Sequence, residues 1–195
     1  MGRRFREPQL LMASTNQGKL KELRQMLGAF PVTLVSIADY SLETPEETED
    51  SFAGNALLKA RYYSHATGLP ALADDSGLCV EGLNGAPGIY SARWAEDGFD
   101  VAIARIEKEL AGNDNRRAYF ACALCLAWPD GGYEQVEGQV HGTLRFPARG
   151  NGGFGYDPIF IADGYEMSFA EMGAVEKNRI SHRAEALRLL VGECF

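Results

Sequence analysis

Asp74 and Asp75 stand side by side after the apolar run Pro70-Ala71-Leu72-Ala73, with Ser76-Gly77 behind them. Neighbouring carboxylates repel, and neither is at home in a hydrophobic strand. An Asp-Ser-Gly turn, in which side chains bond their own backbone, accommodates one of the two. The second needs another reason. Successive side chains on a strand point to opposite faces, so only one of the pair can share a site with a given ligand if the strand runs on. The other then needs backbone donors or a basic partner. A carboxylate at the carboxyl end of a sheet strand is where α/β proteins place ligand groups. Mg²⁺ suits such a place, since it takes one or two carboxylates together with phosphate oxygens and water. We expect Asp75 to face the ligand and Asp74 to face away or brace the turn.

Other stretches carry groups suited to an anionic ligand. Ser14, Thr15, Asn16, Gln17, Gly18 and Lys19 join a strand to a helix. Backbone N–H groups at a helix start attract anions, and a lysine adds a full charge. The same residue types are good helix caps, and the spacing is not that of a Walker A loop. Glu43, Glu46, Glu47, Glu49 and Asp50 form an acidic connector before a helix. Negative charge there suits the helix dipole, so the connector reads as a solvated loop unless one glutamate reaches a metal. On the helix that follows, Asn55 and Lys59 share a face, where a lone lysine is ordinarily solvated. Residues 150–155 include four glycines. Such backbone lets a ligand approach closely, and Phe154 or Tyr156 can stack on a flat ring. Finally, Lys177, Arg179, His182 and Arg183 crowd the start of the last helix. Positive charge there opposes the macrodipole by about 0.3–1 kcal/mol per charge. An anion or a carbonyl in front of those groups would account for the arrangement.

The elements that must hold these groups follow from periodicity. Residues 9–14 read as a strand, and the helix after them carries Leu20, Leu23 and Leu27 on one face with Gly28 as its stop. A second strand falls at 31–37 and a helix at 51–66, opened by Ser51. A strand over 71–75 and a second one after a turn are expected next. Residues 84–98 read as a loop, 99–111 as an amphipathic helix, and 117–146 as a hairpin turning at 129–132. A short strand follows the glycine-rich loop. The last helix runs over 177–193, with Ile180, Ala184, Leu187 and Val191 lining its buried side. Strands alternate with helices early and pair as a hairpin later, which indicates an α/β fold with a mixed sheet.

With 195 residues, the chain reads as an N-terminal extension, 1–8, and one domain, 9–195. Its formal net charge of −8 argues against a nucleic-acid partner, which would need a broad basic face. No stretch is long enough to span a bilayer, so no membrane partner is expected. Four cysteines stand at 79, 122, 125 and 194. Cys122 and Cys125 lie three apart on an apolar strand and so face opposite sides; no second pair completes a zinc site. They read as structural thiols in a reducing cytoplasm.

Taken together, the blocks "STNQGKLKEL", "EET" with "SFAGNALLKA", "ADDSGLCVEGLNGAPGIYSARWA", "GGFGYDPIF" and "EKNRISHRAEAL" resemble the inosine triphosphate pyrophosphatase family. One departure is that the family's first block commonly reads Thr-Gly-Asn where this chain has Ser14-Thr15-Asn16. The resemblance implies a mixed, elongated α/β sheet with flanking helices and two lobes around a nucleotide-binding cleft, in a homodimer. It implies Mg²⁺-dependent hydrolysis of non-standard purine nucleoside triphosphates (ITP, dITP, XTP) to the monophosphate and pyrophosphate. By resemblance, Ser14 to Lys19 hold phosphate, with Lys59 as a further cation. Glu47 and Asp75 serve the metal, and Asp75 is the proton acceptor. Ser76 touches the nucleotide. Phe154, Gly155, Tyr156 and Asp157 frame the base, and Lys177, His182 and Arg183 complete the pocket and read the 6-keto edge. A hydrolase of modified pyrimidine triphosphates and a non-catalytic nucleotide binder remain open alternatives.

Overall fold

The computed structural model describes residues 2–195. In chain order it contains β1 (Gln9–Met12), α1 (Gln17–Leu27), β2 (Thr33–Ser36), α2 (Phe52–Thr67), β3 (Ala71–Val80), α3 (Ser91–Trp94), α4 (Phe99–Glu109), β4 (Arg117–Ala127), β5 (Tyr133–Leu144), β6 (Phe160–Ala162), α5 (Ala174–Ile180) and α6 (His182–Cys194). Among the described residues, one six-stranded sheet runs in the order β2-β1-β3-β4-β5-β6. β1 pairs in parallel with β2 and β3, whereas β5 and β6 are antiparallel, so the sheet is mixed as expected. No described helix is long and apolar enough to cross a membrane.

The chain divides into two compact units. The first takes in residues up to Asp75, Cys122–Gly138 and Arg183–Phe195. Period-two alternation decides its layers. Leu72 and Cys122 join Leu20, Leu23, Leu27, Leu187 and Leu190 in one core, against α1 and α6. Ala71, Ala73 and Cys125 join Ala56, Ala60 and Tyr63 in a second core, against α2. The two cysteines of the C-x-x-C therefore belong to opposite faces. Residues 2–8, uninterpreted from sequence, close this unit. The Phe5 ring stacks on Phe195 with centroids 5.1 Å apart, the Phe5 N–H donates to the Cys194 carbonyl at 2.7 Å, and the Arg3 guanidinium lies 4.3 Å from the Trp128 ring centre.

The second unit takes in Ser76–Ala121 and Gln139–His182. Its core gathers Leu78 and Val80 of β3, Ala102, Ile103 and Ile106 of α4, and Phe120, Phe160 and Phe169.

Two expectations are corrected. Residues 71–80 form one uninterrupted strand, not two strands around an Asp-Ser-Gly turn. Gly77 allows this: a Cβ there would lie 2.4 Å from the Gly88 carbonyl oxygen and 2.5 Å from Ser91 Oγ, so only glycine lets the strand pass. The Ser91 hydroxyl then accepts the Leu78 N–H at 2.9 Å and donates to the Gly88 carbonyl at 2.7 Å. The expected last helix is also two helices, interrupted at Ser181, which has extended backbone. Lys177 and Arg179 consequently lie in the last turn of α5, where positive charge is favourable. Only His182 and Arg183 stand at the start of α6. Much of the inferred dipole conflict therefore disappears.

Candidate active site

Because β3 continues through both aspartates, their side chains go to opposite faces. Asp74 shares the face of Leu72 and meets α1 and α6. Its Oδ1 lies 2.5 Å from Lys19 Nζ, and its Oδ2 accepts from Arg183 Nε at 2.7 Å and from the Cys122 thiol at 3.1 Å. Arg183 also pairs with Glu22, one helical turn beyond Lys19 on α1. Burial resists ionisation of Asp74, but the Arg183 guanidinium and the Lys19 ammonium outweigh it and hold the carboxyl well below the usual carboxylate range. Asp74 is thus braced by cations, not by a turn.

Asp75 shares the face of Ala73 and meets α2. Lys59 Nζ lies 3.5 Å from Asp75 Oδ1 and 2.5 Å from Glu47 Oε1, and donates to the Asp74 carbonyl at 2.9 Å. Glu47 and the Asp74 carbonyl accept hydrogen bonds from the ammonium, and Asp75 adds a longer ion-pair contact. Lys59 is therefore a buried cation that holds carboxylates together, not the solvated lysine its isolation on the helix suggested. Asp75 Oδ2 is buried with no hydrogen-bond partner. Burial pushes the Asp75 carboxyl up, opposed by Lys59 and Lys19 and reinforced by Glu47 and Asp74, and the net shift is upward. Lys59 is shifted upward too: burial lowers it, but Asp75 and Glu47 outweigh that.

α2 also fixes the acidic connector. Asn55, only 2% exposed, accepts the Glu49 N–H on its Oδ1 at 3.0 Å. A Cβ on Gly54 would lie 2.6 Å from the Glu49 Cβ, so the glycine admits the connector against the helix. Together Gly54, Asn55 and Lys59 place Glu47 beside Asp75.

Asn16 caps α1, its Oδ1 accepting the Lys19 N–H at 3.1 Å, and Ser14 Oγ accepts the Asn16 N–H at 3.1 Å. Thr15, Asn16 and Gln17 are exposed, and Ser14, Gly18 and Lys19 are half-buried. The first unit thus brings Ser14–Lys19, Glu47, Lys59, Asp75 and Arg183 into one connected set of elements. Glu22, which the sequence reading did not assign, belongs to it as well, together with Asn55, noted only for sharing a face with Lys59, and Cys122, read only as a structural thiol. The Lys19/Glu22 spacing of three was the available signal for Glu22; nothing local marks Cys122.

In the second unit, Asp157 and Lys177 form a buried pair, with Lys177 Nζ 2.6 Å from Asp157 Oδ2. The same oxygen accepts the Phe154 N–H at 2.8 Å. Gly153 makes this possible. It adopts φ +65°, and a Cβ on it would lie 2.1 Å from Asp157 Oδ2. Lys177 Nζ lies 4.8 Å from the centre of the Phe154 ring, which is half-buried. Tyr156 differs from expectation: it is 3% exposed, its hydroxyl donates to the Ser91 carbonyl at 2.7 Å, and burial pushes that phenol up to about 12. It belongs to the core, which leaves Phe154 as the loop's candidate stacking ring. His182 is stacked on Phe120, with centroids 4.8 Å apart at 14°. Ser76 and Gly155 are half-buried.

The first unit offers carboxylates to a divalent cation. Among the described residues no group of three or more His, Cys, Asp or Glu converges as a dedicated metal cage. Two carboxylates, Glu47 and Asp75, share one lysine, and one of their oxygens is buried without a partner. That donor set fits Mg²⁺, which is usually bound through one or two carboxylates and completed by substrate phosphate and water.

Residues 10–193 match the sequence model of the Ham1 family. A dITP/XTP pyrophosphatase of Rhodospirillum centenum is 55% identical over 198 residues, taking in 99% of this chain and 98% of the relative. One of Zymomonas mobilis is 51% identical over 198 residues, 99% of this chain and 95% of the relative. Among solved structures, a HAM1 protein from Coxiella burnetii superposes with a TM-score of 0.88 at 36% identity, covering 95% of this chain and 98% of that one.

Proposed function

Since this chain belongs to the Ham1 family, we propose that it is a nucleoside triphosphate pyrophosphatase that hydrolyses non-standard purine nucleoside triphosphates such as dITP and XTP to the monophosphate and pyrophosphate. One observation carries the chemical part of this reading. Asp75, at the end of the first unit's share of β3, keeps a buried, unpartnered carboxylate oxygen beside Glu47 and Lys59.

Attack of water at the α-phosphorus needs an acceptor for the water's proton and cations to spread the developing charge. Asp75 is the proposed acceptor. Without a cation bound, burial lifts its carboxyl; a cation held beside it would oppose that lift, so the role rests on its position beside Glu47 and Lys59. The start of α1, with Ser14 to Gly18 and the Lys19 ammonium, is the proposed phosphate cradle. Lys59 acts on the carboxylates: it keeps Glu47 and Asp75 together against their mutual repulsion. Glu47 and Asp75 are the proposed holders of Mg²⁺, which when bound supplies charge neutralisation at the phosphates.

For the base, the proposed reader is the Phe154 ring, fixed through its own N–H by Asp157, with Lys177 and His182 as donors. Donors favour a 6-keto oxygen. A 6-amino group would leave each buried donor unpaired, at a cost of roughly 1–3 kcal/mol. Arg183 has its Nε engaged by Asp74 and its Nη1 by Glu22.

The test is a product assay on dITP, XTP, dATP and dGTP, with Mg²⁺ and with chelator. The reading expects pyrophosphate from dITP and XTP, dependent on Mg²⁺, and little from dATP. Release of orthophosphate, or equal turnover of dATP, would contradict it.

A further inference from the structure

Asp74 is assigned no step in the reaction above, yet its carboxylate meets Lys19, Arg183 and Cys122. We infer that Asp74 is a positioning residue for Lys19: its carboxylate, locked on one oxygen by Arg183 and Cys122, uses the other to hold the Lys19 ammonium where phosphate binds. This rests on the proposed phosphate role of the α1 start.

The two oxygens have separate work. Oδ2 takes Arg183 Nε at 2.7 Å and the Cys122 thiol at 3.1 Å, which fixes the plane of the carboxylate. Oδ1 is directed at Lys19 Nζ, 2.5 Å away. Arg183 is itself held from α1 by Glu22, so the charges alternate along Glu22, Arg183, Asp74 and Lys19. Both ends of this ladder stand on α1, three residues apart, while its middle members come from α6 and β3. An ammonium has three hydrogens. Asp74 takes one, and the Lys19 side chain is still 16% exposed, against 10% for Glu22 at the other end, 1% for Arg183 and 0% for Asp74. Lys19 is the more exposed end and the cationic one, so it is the end that would meet an anionic ligand. A free lysine side chain has to be ordered when it grips phosphate; one already tethered to a locked carboxylate has far less freedom to lose.

The experiment is a double-mutant cycle read by calorimetric binding of inorganic pyrophosphate, with melting temperatures recorded for every variant. Asp74→Asn and Lys19→Ala are each expected to weaken binding roughly tenfold or more, as charge-assisted hydrogen bonds are worth. In the Lys19→Ala background, Asp74→Asn is expected to add no further loss. A merely structural Asp74 would weaken binding by the same factor in both backgrounds, and that result would overturn the inference. Glu22→Gln keeps Asp74 and Lys19 in place and only loosens Arg183, so it serves as the second variant should Asp74→Asn not fold. It is expected to weaken pyrophosphate binding about two- to fivefold with Lys19 present and not at all without it; equal effects in both backgrounds would likewise overturn the inference. Turnover of dITP by the unsubstituted protein is measured separately, so a failure of the substrate reading is distinguished from a failure of the cycle.

Discussion

Asp74 and Asp75 are consecutive residues whose carboxylates serve opposite faces of one strand. Asp74 Oδ1 lies 2.5 Å from Lys19 Nζ on the α1 side, and Asp75 Oδ1 lies 3.5 Å from Lys59 Nζ on the α2 side. The pleat separates two like charges that would otherwise compete for the same space, and each receives its own lysine.

The two should therefore act on stability with opposite signs. Burial lifts Asp75 above the unfolded value of roughly 3.9 despite Lys59 and Lys19. Its contribution is fully present below that unfolded value and is lost as pH rises through the raised one. Asp74 is held far lower, so its contribution is present above the unfolded value and is lost only as pH falls through the depressed one. In chelator at pH 7, Asp75→Asn should be more stable than wild type, with the gap closing toward pH 4. Asp74→Asn should be less stable by about 3–5 kcal/mol, with most of that gap persisting at pH 4. Urea melts across this range check both, and parallel curves for the two variants would show the assignment to be wrong.

Lys59→Met removes the ammonium between Glu47 and Asp75. Breaking a buried ion pair from one side costs about 3–5 kcal/mol, so the melt should shift strongly, with Lys59→Arg retaining more stability than Met. An unshifted melt for the Met variant would mean that water already screens the two carboxylates.

Gly77→Ala places a methyl 2.4 Å from the Gly88 carbonyl oxygen. Because that neighbour is backbone, relief requires β3 or the 88–91 turn to move. A loss of about 1–3 kcal/mol is expected, measured by thermal unfolding. Ser91→Ala in the same chain should restore little, since the carbonyl remains. Full rescue would place the conflict at the Ser91 hydroxyl.

The cysteines should be inert in the native protein. All four are buried. Burial pushes Cys125 up to about 12 and Cys194 up to about 11, and burial with the Asp74 charge pushes Cys122 well above the ordinary thiol range. Thiolate is the reactive form, so labelling at pH 8 should follow global unfolding. A thiol titrating within seconds would contradict the packing described.

Much of this was legible in the sequence because period and capping are local signals. Leu20, Leu23 and Leu27 marked the buried face of α1, and Ser51 marked the start of α2, where it is the N-cap. The apolar run over 117–127 reads as a strand, on which a spacing of three puts Cys122 and Cys125 on opposite faces. What was not legible depends on distant partners. The expected Asp-Ser-Gly turn was overridden by Gly77, whose need for close approach to Gly88 and Ser91 has no local sign. Tyr156 is an aromatic residue in a glycine-rich loop like Phe154, yet Ser91 and the nearby Phe99 ring draw it into the core. Lys59 looked solvated because its carboxylate partners, Glu47 and Asp75, lie 12 and 16 residues away along the chain. The engagement of Arg183 by Glu22 and Asp74 was not legible because both are far from it in sequence.

The most direct test of the account is steady-state pyrophosphate release from dITP by wild type and Asp75→Asn, with Asp75→Asn shown to be folded by its melt. The account predicts dIMP and pyrophosphate from wild type, and a fall of at least about a hundredfold in kcat for a folded Asp75→Asn protein, as loss of a general base entails. Near-normal turnover by that variant would contradict the claim that the Asp75 carboxylate carries the chemistry.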